Sequence, residues 1–139
     1  MADEGKARLS LQVRKDVRNF YKSLSFNFDI TGEAGETPGE VLVTTTGVNI
    51  SLSVLTSLGG VILMENLSED YRVEYGIHDG LLMHPLGEIL PEEAWLLRLS
   101  RNLGVEEQAT GTGTTGIVNN LFFQSYGGSA RVVLNAFDR

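Results

Sequence analysis

The stretch with the strongest chemical suggestion is Gly111-Thr112-Gly113-Thr114-Thr115-Gly116, a literal G-x-G-x-x-G. In a dinucleotide site a buried strand feeds this turn and a helix leaves it, so that free N–H groups and a positive dipole end face the pyrophosphate. Here the preceding residues, "NLGVEEQAT", are polar, and the following ones, "IVNNLFFQSY", are β-branched, aromatic and asparagine-rich. Neither flank suits its part. With 16 glycines in 139 residues the letters match by composition, and no nucleotide or other cofactor is expected. What remains from Ala109 to Gly116 is a loop of small residues suited to lying against another subunit.

Other reactive groupings fail on spacing. There is no cysteine, which removes disulfides, thiolate metal sites and thiol nucleophiles together. His78 and His84 are the only histidines, and six residues apart they fit neither a helix face nor a tight metal turn, so no metal site is expected. Glu92 and Glu93 are adjacent, and neighbours on a strand point to opposite faces, which favours a solvated turn over a carboxylate pair. No G-x-S-x-G elbow occurs. The single tryptophan, Trp95, alternates with Leu97 and Leu99 and is expected in the core. An enzyme is not expected.

Charge is unevenly distributed. Residues 1–22 hold six basic and three acidic side chains, a net of +3, while the remainder holds five basic and fifteen acidic ones, a net of −10. A broad acidic surface opposes phosphate binding, so no nucleic-acid partner is expected. The longest aliphatic run, Val61-Ile62-Leu63-Met64, is far short of a membrane span, and no apolar leader follows Met1; no membrane partner is expected. A basic arm on an acidic body points to an acidic neighbour, another copy of the chain included.

The elements that must position any site read as strands. Leu24, Phe26, Phe28 and Ile30 alternate with polar residues up to Thr31-Gly32, and so do Val48, Ile50, Leu52 and Val54. "VLVTTTG", "VILMENL", "YRVEYGI", "AWLLRLS", "IVNNLFFQSY" and "ARVVLNAF" are further strands, with "VILMENL" apolar on both faces as a central strand is. Gly127-Gly128 predicts a hairpin between the last two, and Asn66 to Gly76 predicts another. Residues 13–24 fit either a strand or a helix with Val13, Val17, Phe20 or Tyr21, and Leu24 on one face. The chain is expected to be all-β, an antiparallel β-sandwich or jelly-roll-like domain of eight or nine short strands over residues 23–139, preceded by an extended basic N-terminal arm over residues 1–22.

The middle of the chain carries a longer pattern. "GGVILMENLSEDYRVEYGI" followed by "PLGEILPEEAWLLRLS" resembles a loosely defined group of small accessory structural proteins of tailed-bacteriophage virions. The matching positions are Asn66, Leu67, Tyr71, Val73, Gly76, Pro85, Leu86, Leu90, Glu93, Leu97, Arg98 and Leu99. Two positions depart: Ser68 stands where the pattern has Asp, which is expected to loosen the turn, and Glu92 stands where it has Gly, which changes the φ the turn can ask for. The resemblance implies a non-enzymatic role in the virion, on head (decoration or cement) or tail, assembled in the host cytoplasm, and it implies no catalytic residues. Expected partners are copies of the chain itself, with a trimer as the expected number, and other virion proteins. The expected assembly contact is Leu9, Leu11 and Val13 with the cations Arg14, Lys15 and Arg18, the arm adding as a strand to a neighbour's sheet edge. The alternative is a ligand- or carbohydrate-binding β-sandwich adhesion module with Trp95, Tyr71 or Tyr75 as platform.

Overall fold

The computed structural model of the protein describes residues 5–28, 30, 37–51, 60–98 and 120–137. Among them are ten strands and no helix: β1 (Gly5–Lys15), β2 (Arg18–Phe28), β3 (Thr37–Val43), β4 (Val48–Ser51), β5 (Val61–Asn66), β6 (Val73–His78), β7 (Met83–Ile89), β8 (Ala94–Arg98), β9 (Asn120–Ser125) and β10 (Ala130–Ala136). Contacts divide the chain into two units, Met1–Thr31 and Gly32–Arg139.

The second unit is a β-sandwich. Two four-stranded antiparallel sheets, ordered β3-β10-β5-β8 and β4-β9-β6-β7, share one apolar core. Alternation sends Val43, Ile62, Met64, Val132 and Leu134 inward from the first sheet. Ile50, Val73, Tyr75, Ile89, Leu121 and Phe123 meet them from the second. β5 is central as expected, between β10 and β8, but it alternates: Leu63 and Glu65 face out.

Consecutive strands from β3 to β10 pass from one sheet to the other at every step except β6 to β7. Two expected hairpins are therefore corners. Gly127-Gly128 carries the chain from β9 in one sheet to β10 in the other, and a Cβ on Gly128 would lie 2.5 Å from the Tyr71 ring. The glycines make room for Tyr71, which packs against the core. Asn66 to Gly76 likewise links β5 to β6 across the sandwich. A local glycine signal marks a change of direction, and burial of distant strands decides which sheet follows.

The β5–β6 corner is held by a buried side chain. Asn66 Nδ2 donates to the carbonyls of Tyr71 (2.8 Å), Ile89 (3.1 Å) and Leu90 (3.3 Å), and its Oδ1 accepts from Ser68 N–H (3.0 Å). Ser68 does not loosen this turn: its Oγ accepts from the N–H groups of Asp70 and Tyr71 at 3.3 and 3.0 Å, the job an aspartate oxygen would do. Opposite lies the turn Leu90-Pro91-Glu92-Glu93, closed by Glu93 N–H to Leu90 C=O at 3.1 Å. Proline at its second position and a φ of +62° at Glu92 are the marks of a type II turn, which wants glycine there.

β7 is absent from the sequence expectation because Pro85 and Gly87 disguise it. It is the edge of its sheet, where a missing N–H is tolerated, and its register with β6 shifts between Tyr75 and Gly76.

The first unit is one hairpin. β1 and β2 pair in register over eleven positions, from Gly5↔Phe28 to Lys15↔Arg18, about a turn at Asp16-Val17 in which Asp16 has a φ of +52°. Residues 13–24 are thus strand on both sides of that turn. The boundary expected after residue 22 falls inside β2; Ser23–Phe28 pair with Gly5–Ser10, and contacts part the units between Thr31 and Gly32.

Candidate functional site

The hairpin presents two unlike faces. Side chains alternate along each strand, and the register places Leu9 beside Leu24, Leu11 beside Lys22 and Val13 beside Phe20 on one side. Arg8, Ser10, Gln12 and Arg14, with Asn19, Tyr21, Ser23 and Ser25, occupy the other. The apolar side is open: Leu11 is 58 % exposed and Leu24 56 %, with Leu9, Val13 and Phe20 between 40 and 49 %. A two-stranded hairpin is at best marginally stable in water, and it needs a further layer on its apolar face. Covering these side chains returns roughly 1 kcal/mol for each half-exposed Leu, Val or Phe.

Five of the six expected contact residues share this face. Leu9, Leu11 and Val13 line it, with Lys15 and Arg18 as its last row at the turn; Arg14 lies on the polar side. Phe20, Lys22 and Leu24 belong to the same face, and the alternation of residues 20–26 was the signal for them once the turn at Asp16-Val17 is known. β2 pairs with β1 along its whole length and so satisfies one edge of that strand, and addition to a neighbour's sheet would use an outer edge of the hairpin.

Residues singled out for other chemistry are dispersed. His84 Nε2 meets Asp79 Oδ2 at 2.7 Å, whereas His78 accepts at Nδ1 from Gly80 N–H (3.0 Å) and stacks on Phe122 with 4.8 Å between centroids. Asp79 also accepts at Oδ1 from the N–H groups of Leu81 and Leu82, both at 2.8 Å, in the β6–β7 turn. The His84 bond, then these two, hold its carboxyl well below the usual carboxylate range. Among the described residues no three potential metal ligands gather. Glu93 Oε2 accepts from Leu90 N–H (3.0 Å), which makes Glu92-Glu93 part of a turn.

Trp95 is not a core residue. It sits on β8, which is an edge strand among the described residues, is paired with Met64, and is 53 % exposed. Tyr75 is 6 % exposed and belongs to the core, so it offers no platform; Tyr71 is half-buried over Gly127 and Gly128. Arg72 forms a surface network, pairing with Glu74 (3.1 Å) and Glu88 (2.9 Å) and lying 4.2 Å over the Tyr126 ring. The glycine loop Gly111 to Gly116 lies outside the described residues.

No protein-family model, curated protein or solved structure gives a significant match to this chain.

Proposed function

We propose that the protein is a non-enzymatic structural component that oligomerises and docks through its N-terminal hairpin, as an accessory protein of a tailed-phage virion. The observation that carries the docking role is the exposed row of Leu9, Leu11, Val13, Phe20 and Leu24 on a hairpin that pairs with no third strand among the described residues. The pattern from Gly59 to Ser100 supplies the virion setting by resemblance. The strand order β3-β10-β5-β8 over β4-β9-β6-β7 agrees with a double-sheet jelly roll, an architecture used by capsid proteins but also by lectins and cupins. Head decoration or cement, and a tail or fibre-attachment role, both suit such a module.

Peptide mass spectrometry of purified phage particles from the genome that encodes the chain tests this reading. Recovery in stoichiometric amounts with the particle supports it; recovery only in the soluble lysate overturns it. A second reading, a carbohydrate-binding module, is favoured by the exposed Trp95 on β8. Glycan binding lost on Trp95→Ala would select it.

A further inference from the structure

The open face of the hairpin is apolar along most of its length, yet it carries cations. Lys22 stands beside Leu11, between the wholly apolar rows Val13–Phe20 and Leu9–Leu24, and Lys15 and Arg18 close the face at the turn. No carboxylate shares it. The opposite face adds Lys6, Arg8 and Arg14, again without a carboxylate. Gly5–Phe28 thus holds six basic residues and one acid, Asp16 in the turn. None of the six basic side chains makes an ion pair among the described residues. Val17, beside Asp16 at the turn, is fully exposed.

Few surfaces suit both features. A second hairpin would cover the apolar rows but bring six cations onto six. A nucleic-acid groove would take the cations and leave Leu11, Phe20 and Leu24 in water. A close-packed protein surface would bury Lys22, and lysine is depleted at the centre of such interfaces because its ammonium must find a carboxylate away from water. A bilayer rich in anionic lipid meets both demands. Acyl chains cover the apolar side chains, the Lys22 stem lies along them, and its ammonium reaches the headgroups with Lys15 and Arg18. Crossing a bilayer takes a long apolar run, which the chain lacks; lying at headgroup level, where water still reaches the outer strand edges, takes none. Resting on the reading of the hairpin as a docking element, we infer that its apolar face seats on the surface of an anionic phospholipid bilayer.

The chain has no cysteine, so a single cysteine carrying a polarity-sensitive dye reports which face meets lipid. Full-length Leu11→Cys and Ser10→Cys proteins, substituted at neighbours on opposite faces, are labelled and mixed with vesicles. One set of vesicles holds phosphatidylcholine with a minority of phosphatidylglycerol, the other phosphatidylcholine alone. With the anionic set the protein should sediment, and the dye should shift to the blue on Leu11→Cys but stay water-like on Ser10→Cys. Lys15→Gln with Arg18→Gln should lower the partition coefficient roughly 25-fold, about fivefold for each cation removed. Phe20→Ser, which keeps every cation, should lower it several-fold. Equal binding to both sets, a shift at Ser10→Cys as large as at Leu11→Cys, or binding to a short DNA duplex but to no vesicle overturns the inference. Failure to bind vesicles by a protein that light scattering shows to be an oligomer also overturns it and leaves hairpin docking standing. A monomer that ignores both sets of vesicles overturns the inference and the docking reading together. Val13→Cys and Gln12→Cys give the same decision should the first pair misfold.

Discussion

His84 Nε2 and Asp79 Oδ2 lie 2.7 Å apart across the β6–β7 turn, while the other oxygen of Asp79 accepts from Leu81 and Leu82 N–H. The carboxylate is thereby favoured over the acid, and its pKa is lowered on folding. The resulting stability is fully present above the unfolded carboxyl value of about 4 and drains away as pH falls towards the lower folded value. Asp79→Asn should melt below the parent protein at pH 6, with the gap closing between pH 4 and pH 2. A gap that stays constant through that window counts against the linkage.

Asn66 is fully buried and satisfies carbonyls of two separate corners. Asn66→Ala leaves them without a donor and should cost about 2–4 kcal/mol in urea unfolding. Asn66→Asp should be worse than Ala above pH 5, because it directs a carboxylate at the carbonyl oxygens of Tyr71 and Ile89. Equal stability of the three proteins would show that the corner holds without this side chain.

Glu92 adopts a φ of +62° at the third position of the Leu90–Glu93 turn. Left-handed backbone costs a non-glycine residue roughly 1–2 kcal/mol, and glycine gives back part of that in unfolded-state entropy. Glu92→Gly should therefore stabilise by about 0.5–1 kcal/mol, seen as a higher urea midpoint at unchanged m-value. A lower midpoint would mean that the Glu92 side chain itself supports the turn.

Gly76 packs against the neighbouring edge strand. A Cβ there would fall 2.1 Å from the carbonyl oxygen of His84, and the obstacle is backbone. Gly76→Ala should force β7 away at the bulge and cost roughly 2 kcal/mol or more. Gly80→Ala is the informative contrast: nothing lies within 4 Å, and any loss there comes from its φ of +100°.

Arg14 and Lys15 are neighbours in sequence on opposite faces of the hairpin. Lys15→Glu and Arg18→Glu should each reduce assembly several-fold in light scattering, whereas Arg14→Glu should act weakly. Raising salt from 0.15 to 1 M shortens screening from about 8 to about 3 Å and should weaken the contact in the parent protein. Equal effects at the three positions would argue for net charge in place of the face.

Much of this architecture was legible as period-two alternation. Strands β4, β6 and β8 follow from it, because one side of each must be buried and the other wet, while β3, β5, β9 and β10 read as short apolar runs between turn residues. The charge break near the N-terminus and the apolar Leu9, Leu11 and Val13 were equally plain. What alternation cannot carry is partnership. Asp16-Val17 lacks the glycine that would announce a hairpin, while Gly127-Gly128 announces one that does not form. Pro85 hides an edge strand, and Trp95 has strand spacing but lies on a strand that is an edge among the described residues, where it is half-exposed. Alternation is a property of one strand and its two faces, so the sequence by itself determined that the chain is all-β and which residues seek cover. Whether a turn keeps the chain in its sheet or sends it across the core depends on the joint burial of side chains far apart in sequence, and only the tertiary structure decided that.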